Sequence, residues 1–276
     1  MRGSLVLIST PIGNLGDISE RAIETLRSVD IVACEDTRHT GKLLKLLGLS
    51  KKLLSLHEHN ETARIEKLLG LISEGKTVGL VSDAGTPLIS DPGFDLVGAV
   101  RDAGFSVTAI PGPAALISAL VISGLPTDSF YFGGFLPSKS GARKKAFENL
   151  ENLEATLVFY ESPKRIAASV KDAHAVFGAR KAAVARELTK LHEEVLAGTL
   201  AELETTLSES APKGEIVFLI DRTPANKPLS SERDLAKLVK QYEADGLKPM
   251  AALKKAAREC GFSKSEAYRL LQQSRD

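Results

Sequence analysis

The sequence predicts an α/β fold followed by a small helical C-terminal segment. Short apolar runs alternate with stretches of helical period as far as residue 222, which is typical of strands that alternate with helices. Hydrophobic residues make up 43% and charged residues 26% of the 276 residues, as in a globular chain and unlike a disordered one. We divide the chain into residues 1–112, 113–222 and 223–276.

Residues 1–112 predict a parallel sheet. Ser19 and Asn60 are suitable N-cap residues, and Gly48 and Gly75 suit the ends of helices. We expect strands at residues 5–9, 30–35, 53–56, 77–82 and 106–110, and helices at 19–29, 40–47, 60–72 and 95–103. A helix between consecutive strands is the usual connection between parallel strands.

Residues 113–222 predict a second α/β domain with a different rhythm, which favours a mixed sheet. The run Pro-Gly-Pro at residues 111–113 marks the boundary. Pro163 suits the first position of a helix. We expect strands at residues 130–132, 156–160, 182–187, 193–197 and 215–220, and helices at 114–122, after the basic stretch 137–145, at 163–177 and at 200–207.

Residues 223–276 predict a linker and three helical segments. Residues 223–231 contain two prolines and no periodicity. Ser231 with Asp234, and Ser263 with Glu266, resemble capping boxes. Two apolar stripes are expected, formed by Leu235, Leu238, Val239 and Tyr242 and by Met250, Leu253, Ala257 and Cys260. Both a helix-turn-helix and a small bundle packed on the main body fit this pattern.

Composition argues against several classes of protein. The longest apolar stretch, residues 114–122, falls short of the ~20 residues that cross a bilayer. The short run at residues 5–8 does not resemble a secretory signal, so we expect no membrane partner. Cys34 and Cys260 are too few for a disulfide framework or a zinc cluster, which favours a reducing cytoplasm.

The formal net charge of +1 conceals an uneven distribution. Residues 136–190 hold 11 Lys and Arg against 6 Asp and Glu, a net charge of +5. Residues 223–276 hold 11 against 7, a net charge of +4, so the remainder of the chain carries −8. Because binding depends on where charge is located, near-neutrality is compatible with a local nucleic-acid-binding face.

The expected carboxyl ends of the five N-terminal strands are rich in Gly, Pro and polar residues. Ligands bind at this edge of open parallel sheets, so we expect a ligand surface there. No G-x-G-x-x-G, Walker A or G-x-S-x-G motif occurs, which disfavours nicotinamide, nucleoside triphosphate and serine-hydrolase chemistry. His57 and His59 lie two apart at the end of an expected strand, where side chains at this spacing point to opposite sides, so we expect no metal.

Eight sequence runs, in order, resemble those of the tetrapyrrole-methylase superfamily: LISTPIGNLGDIS, CEDTRHT, SLHEHNE, VSDAGTPLISDPG, IPGPAA, GFLPSK, FYESPKR and ARELTKLHEE. Within it they resemble the bacterial enzymes that methylate the ribose 2′-hydroxyl of cytidine 1402 in 16S rRNA. The resemblance extends from residue 5 to about residue 220, and the C-terminal segment looks like the family's accessory domain. The first loop, TPIGNL at residues 10–15, differs from the GxGPGD of most superfamily relatives.

This resemblance implies a homodimer of two α/β domains of the tetrapyrrole-methylase type, with the cofactor cleft between them, plus a small helical C-terminal domain. The implied cofactor is S-adenosylmethionine. By the family's pattern its contacts fall on Asp83, Ala84, Gly85, Thr86, Ile89, Ala114, Ala115, Tyr160, Leu188 and Glu215.

The implied reaction transfers a methyl group to a ribose hydroxyl, which is a poor nucleophile at neutral pH. We therefore expect catalysis by positioning, aided by a base or a nearby cation. The candidate acceptors are Asp36, Asp83 and Glu161, and the candidate cations are Arg38, Lys164 and Arg186. The identity of the base stays open, as does a mechanism by alignment alone.

The implied partner is 16S rRNA in the small ribosomal subunit. Basic side chains in the two positively charged regions are candidates for phosphate contacts. They are Lys139, Arg143, Lys144, Lys145, Lys254, Lys255, Arg258, Lys264 and Arg269. Two alternatives stay open, a tetrapyrrole methyltransferase of the same fold and a non-catalytic RNA-binding factor in ribosome assembly.

Overall fold

The computed structural model describes residues 3–57, 60–209, 212–222, 232–260, 262 and 267–270. The chain forms two compact units, Met1–Arg222 and Thr223–Asp276. The first unit contains two five-stranded sheets.

The first sheet is parallel throughout and has the strand order β3-β2-β4-β1-β5. Its strands are β1 (Ser4–Ile8), β2 (Ile31–Cys34), β3 (Lys52–Ser55), β4 (Thr77–Val81) and β5 (Ser106–Ile110). The connecting helices are α1 (Glu20–Ser28), α2 (Thr37–Leu46), α3 (Glu61–Ser73) and α4 (Phe94–Asp102). The predicted parallel α/β sheet is therefore confirmed.

Helix ends in the first sheet follow from capping. The Ser19 hydroxyl accepts a hydrogen bond from the Ala22 N–H (3.1 Å) and begins α1 as predicted. The helix α2 begins three residues earlier than expected, because the Asp36 carboxylate caps it by accepting from the Arg38 N–H (2.8 Å). A short 3-10 helix at Leu15–Asp17, which the sequence patterns did not predict, follows β1.

Apolar side chains cover both faces of the first sheet. Leu5, Leu68 and Leu96 are fully buried on one face, and Ile8 and Leu26 are 0–1% exposed on the other. Burial on both faces is what a parallel sheet requires. The edge strand β5 departs from this rule, since three of its five residues are exposed.

The second sheet is mixed, as predicted, with the order β6-β7-β10-β8-β9. Its β6–β7 pair is parallel, and its other pairs are antiparallel. Its strands are β6 (Phe130–Phe135), β7 (Thr156–Glu161), β8 (Lys181–Arg186), β9 (Glu194–Thr199) and β10 (Ile216–Ile220). Its helices are α5 (Ala115–Ile122), α6 (Ser140–Leu150), α7 (Ile166–Phe177) and α8 (Leu200–Glu209).

The start of α7 corrects the sequence prediction. Pro163 lies in a turn before the helix and not at its first position. The Ser162 carbonyl accepts hydrogen bonds from the N–H groups of Arg165 and Ile166 (both 3.0 Å), so the chain turns once before α7 begins at Ile166. The basic stretch 137–145 also differs from expectation, since much of it belongs to α6.

The second unit contains α9 (Glu232–Ala244), α10 (Pro249–Glu259) and a helical segment at residues 267–270. Leu235, Leu253 and Cys260 belong to its apolar core. Met250 is 52% exposed and so does not belong to the buried stripe that was expected. Ser231, Ser263 and Glu266 of the two expected capping boxes lie outside the described residues. Across the described part of the chain, no helix is long and apolar enough to cross a bilayer.

Candidate active site

Three loops at the carboxyl edge of the first sheet are joined by hydrogen bonds. Thr10, after β1, and Gly85, after β4, exchange two backbone hydrogen bonds (2.8 and 3.1 Å). The Ser9 and Thr86 hydroxyl oxygens lie 3.1 Å apart, and the Thr86 hydroxyl donates to the Pro113 carbonyl (3.1 Å). These bonds join the loops after β1, β4 and β5 into one rim. The rim lies at the carboxyl ends of the parallel strands, where ligands bind in sheets of this kind.

A cavity of about 380 Å³ lies between this rim and the second sheet. All ten residues that the resemblance assigned to the cofactor line it: Asp83, Ala84, Gly85, Thr86, Ile89, Ala114, Ala115, Tyr160, Leu188 and Glu215. The predicted ligand edge is thus only partly used, because the loops after β2 and β3 contribute no lining residue.

Sequence reasoning missed nine further lining residues, and the prior candidate Glu161 also lines the wall. The missed residues are Ile12, Ser90, Asp91, Phe135, Ser162, Pro163, Gly214, Ile216 and Val217. Several of them lie within or beside the quoted motifs, which was the only available signal. Which of these residues line the cavity depends on how the two sheets are placed against each other, and the periodicity of the sequence does not contain this information.

Two segments that contribute to the cavity wall adopt left-handed backbone conformations. Leu88 (φ 72°) and Ser90 (φ 65°) belong to the loop after β4, and Glu187 (φ 49°) and Thr189 (φ 66°) follow β8. These four are the non-glycine residues with positive φ in the described chain. Such strain of ~1–3 kcal/mol per residue persists where the surrounding structure fixes the loop, and it concentrates at functional sites.

A lysine-centred cluster lies beside Leu188 and Glu215, which line the cavity. The Lys190 ammonium lies 3.0 Å from Glu187 Oε1 and 3.0 Å from Glu215 Oε2. Its hydrogen bond to Glu187 is the main cause that holds the pKa of that carboxyl below its ordinary value. A Cβ atom at Gly13 would lie 2.6 Å from Lys190 Cγ, so the loop after β1 packs closely on this cluster.

Two titratable groups that line the cavity, Asp91 and Tyr160, have raised pKa values. Burial, the nearby Glu35 and the nearby Asp83 raise the pKa of Asp91 to about 6, although a hydrogen bond with the Ser82 side chain opposes this shift. Burial also raises the pKa of Tyr160, and the Asp91 carboxylate adds to that rise. A carboxyl group whose pKa lies near neutrality is typical of a functional site.

Asp36 and Arg38, which were candidate catalytic residues, lie outside the cavity lining. Asp36 Oδ2 and Arg38 Nη2 are 2.8 Å apart, and Arg38 holds the pKa of the Asp36 carboxyl well below its ordinary value. The backbone N–H of Asp36 donates to Asp83 Oδ1 (3.2 Å). The pair therefore caps α2 and supports Asp83 from outside the cavity.

The other catalytic candidates, Glu161, Arg186 and Lys164, do not form hydrogen bonds or ion pairs with one another. Glu161 is buried and accepts hydrogen bonds from the Ser162 N–H (2.8 Å) and the Ser169 hydroxyl (2.7 Å), with Arg165 Nε 3.2 Å from its carboxylate. Arg186 is paired with Glu194 (2.6 Å). Among the described residues Lys164 is exposed and makes no hydrogen bond or ion pair.

Arg143 does not lie at the surface, which corrects its assignment to phosphate contacts. Its side chain is 4% exposed and its Nη2 lies 2.6 Å from Asp172 Oδ2. Its Nη1 also donates to the Pro137 carbonyl (3.1 Å). The Arg143 guanidinium therefore forms an ion pair and a hydrogen bond inside the second α/β domain and is not accessible to an RNA phosphate.

The remaining RNA candidates are mostly accessible. Lys139 and Lys145 are exposed, and Lys144 is 44% exposed with its ammonium 3.7 Å from Asp172. In the second unit, exposed side chains are Lys254, Lys255 and Arg269, and Lys255 Nζ lies 4.1 Å from the centre of the Tyr242 ring. Lys264 and the Arg258 side chain lie outside the described residues.

No cluster of three or more His, Cys, Asp or Glu side chains that could bind a metal occurs among the described residues. His57 is one of the described residues, whereas His59 lies outside them. Cys34 and Cys260 are both buried and free.

Comparison with known proteins identifies relatives along nearly the whole chain. Three relatives named ribosomal RNA small subunit methyltransferase I come from Xylella fastidiosa, Synechocystis sp. and Escherichia coli O157:H7. The Xylella protein is 46% identical over 96% of this chain and 98% of its own length. The Synechocystis protein is 44% identical over 97% of both chains. The Escherichia coli protein is 44% identical over 97% of this chain and 94% of its own length.

Solved structures show the same fold at lower identity. Uroporphyrin-III-C-methyltransferase from Thermus thermophilus has a TM-score of 0.54 at 20% identity, and covers 80% of this chain and 93% of its own. The cobalt precorrin-4 methyltransferase CbiF has a TM-score of 0.59 at 14% identity, with coverages of 80% and 95%. A family model described as tetrapyrrole (corrin/porphyrin) methylases matches residues 4–204. The chain belongs to this tetrapyrrole methylase family.

Proposed function

We propose that this protein transfers a methyl group from S-adenosylmethionine to the ribose 2′-hydroxyl of cytidine 1402 in 16S rRNA of the small ribosomal subunit. The observation that carries the proposal is 44–46% identity, along almost the whole chain, to proteins named ribosomal RNA small subunit methyltransferase I. The tetrapyrrole alternative has less support, since the solved porphyrin and corrin enzymes share only 14–20% identity.

The cavity fits this cofactor in size and chemistry. Its volume of about 380 Å³ lies within the ~300–1,000 Å³ of small-molecule sites. Ala84, Gly85 and Ala115 leave room for close approach to the backbone, and carboxylates such as Asp83 suit a ligand with a sulfonium and an ammonium group. When bound, the cofactor supplies an electrophilic methyl group.

The chain itself contributes mainly orientation. The hydrogen-bonded rim of Thr10, Gly85 and Thr86 fixes one part of the wall, and Lys190 holds the lining residue Glu215 in place. A preset cavity of this kind holds a nucleophile and an electrophile ~3–3.5 Å apart without further ordering. Asp83 lines this cavity and accepts a hydrogen bond at Oδ1 from the N–H of Asp36 (3.2 Å), which holds its carboxylate in place.

RNA binding is assigned to exposed cations in both units. Lys139, Lys145 and Lys164 are exposed in the first unit, and Lys254 and Arg269 in the second. Each phosphate contact releases counterions, so we expect RNA affinity to fall with salt and with deletion of residues 223–276, while cofactor affinity is unchanged. RNA affinity that is insensitive to the deletion would exclude this role of the second unit.

We also infer a homodimer that acts in the cytoplasm, where its ribosomal substrate is found. The helix α5 is apolar on nearly all sides, yet Ile117, Val121 and Ile122 are 44–64% exposed. A helix that is hydrophobic all round is normally buried. A second copy of the chain would cover this face and the exposed edge strand β5.

The decisive experiment measures transfer of a labelled methyl group to small ribosomal subunits from a strain that lacks the gene. We expect one ribose methyl group on 16S rRNA, located by mass mapping at cytidine 1402, and none on porphyrinoids. Methylation of porphyrinoids alone would favour the tetrapyrrole alternative. Calorimetry that detects no binding of S-adenosylmethionine would favour the non-catalytic alternative.

A further inference from the structure

Methylation of a ribose hydroxyl requires an acceptor for its proton, because the neutral hydroxyl is a weak nucleophile. Two of the three carboxylates expected for this task are committed elsewhere. Asp36 is paired with Arg38 outside the cavity lining. Glu161 is buried under hydrogen bonds from Ser162 and Ser169 and is paired with Arg165.

The third expected acceptor, Asp83, lines the cavity but already receives a hydrogen bond at Oδ1 from the Asp36 N–H. A carboxylate bound by a backbone donor is held as an anion and serves best to position a ligand. Asp83 is therefore better suited to orient a bound group than to accept a proton.

Asp91 has a different environment in the wall of the same cavity. Its charged neighbours Glu35 and Asp83 are both acidic, and among the described residues no Lys or Arg pairs with it. Tyr160, from the second sheet, lines the same cavity, and the charge of Asp91 contributes to its raised pKa. The nearby Ser82 hydroxyl, which donates to the Ala84 carbonyl (3.2 Å), lowers the pKa of Asp91. Desolvation and acidic neighbours together favour the protonated carboxyl, so this group can take up a proton near neutral pH.

The loop that carries Asp91 is held in place on both sides. Gly93 has φ 123°, and a Cβ atom there would lie 2.8 Å from Leu80 Cδ2, so the loop packs closely on the first sheet. On the other side, an added Cβ at Gly134 in β6 would lie 3.5 Å from Ser90 Oγ. A carboxylate between these anchors is fixed at the junction of the two sheets, as a catalytic group must be.

We propose that Asp91 is the general base that accepts the proton of the target 2′-hydroxyl group. The proposal rests on the proposed function and assigns one role within it. As the 2′-oxygen forms its bond to the methyl carbon, the carbon–sulfur bond breaks and its electron pair stays on sulfur. The hydroxyl proton passes to the Asp91 carboxylate, which releases it to water.

The test compares Asp91→Asn with Asp95→Asn, which removes an exposed carboxylate four residues away in the first turn of α4. Single-turnover methyl transfer to unmethylated small subunits is measured between about pH 5 and about pH 8. We expect wild type and Asp95→Asn to gain activity through an apparent pKa of about 6. We expect Asp91→Asn to lose at least ~100-fold in rate and to lose this pH dependence.

Two measurements separate a catalytic role from a structural one. In the free protein, ¹³C NMR of labelled aspartate carboxyls is expected to show a resonance that titrates near pH 6 and is absent from Asp91→Asn. Ser82→Ala keeps the carboxylate but removes a hydroxyl that lowers the pKa of Asp91 and that also donates to the Ala84 carbonyl (3.2 Å), so the pH profile is expected to move to higher pH. Calorimetry with S-adenosylmethionine is expected to show that Asp91→Asn still binds it.

Several results would overturn the assignment. An Asp91→Asn variant within ~10-fold of the wild-type rate would exclude a general base at this position. The same conclusion would follow if Asp83→Asn, and not Asp91→Asn, removed the pH dependence, or if no titrating resonance belonged to Asp91. Wild-type protein that methylates no small-subunit RNA would instead overturn the proposed function, and this role with it.

Discussion

Arg143 and Asp172 form an ion pair in the interior of the second α/β domain, with Arg143 Nη2 2.6 Å from Asp172 Oδ2 and side chains only 4% and 8% exposed. Ser140 also donates to Asp172 Oδ1 (2.9 Å). A buried charge that loses its partner is strongly destabilising, whereas an exposed pair contributes little.

Asp172→Ala is therefore expected to lower the free energy of unfolding by ~3 kcal/mol or more in urea denaturation, since it leaves the Arg143 guanidinium buried without its carboxylate. Asp128→Ala is the matched control, because Asp128 and Arg222 form an exposed pair (2.7 Å). Equal effects of the two changes would contradict the interior role of Arg143.

Ala84→Leu is expected to weaken the binding of S-adenosylmethionine by ~10-fold or more, which corresponds to ~1.4 kcal/mol. Ala84 lines the cavity and is otherwise exposed, so the larger side chain adds volume there without disturbing the core. Calorimetry measures the affinity, and Ala103→Leu, at an exposed position outside the cavity, is the control. Unchanged affinity together with an unchanged melting temperature would show that the cofactor binds elsewhere.

Asp91→Asn is expected to stabilise the folded protein at neutral pH while it impairs catalysis. The folded-state pKa of about 6 exceeds the ordinary value of 3.8, so the folded protein binds more protons than the unfolded chain between these values. Stability from this group is thus greatest in acid and is lost as the pH rises through 6. Thermal denaturation is expected to show a higher Tm for the variant near pH 7.5 (about 1.5 units above that pKa) and no difference near pH 4. A variant that is less stable than wild type at neutral pH would contradict this prediction.

Val121→Glu is expected to convert the proposed dimer into a monomer, because it places a charge on the exposed apolar face of α5. Light scattering coupled to size-exclusion chromatography measures the mass. Leu46→Glu is the control, since Leu46 is 71% exposed on α2. This helix follows β2, which lies three strands away from β5, the strand that precedes α5. A dimer that survives Val121→Glu would place the interface on another surface.

The sequence predicted the strands and helices better than it predicted the contacts that charged residues make. Alternating periodicity was enough for both sheets, because burial of strands and of one helix face is a local pattern. The predicted starts of α2 and α7 were wrong. Asp36 caps α2, and the Ser162 carbonyl accepts the hydrogen bonds of the turn before α7, and periodicity reveals neither contact. Arg143 looked like its basic neighbours in sequence, and only its distance to Asp172, 29 residues away, shows that it is internal.

The same limit explains the cavity. Motif resemblance led to the ten predicted lining residues. The raised pKa of Asp91, in contrast, comes from its burial and from Glu35 and Asp83, against the opposing effect of Ser82, and these neighbours follow two different strands. A perturbed carboxyl of this kind arises from tertiary packing and has no signature in the local sequence.

The position of β10 has a consequence for synthesis of the protein. This strand is the last of the first unit along the chain, yet it lies in the middle of the second sheet between β7 and β8, with all five residues buried. Residues 214–217 at its start also line the cavity. A nascent chain therefore holds two unpaired strand edges until residue 220 has left the ribosome, and the cavity is completed only in the final stage of translation.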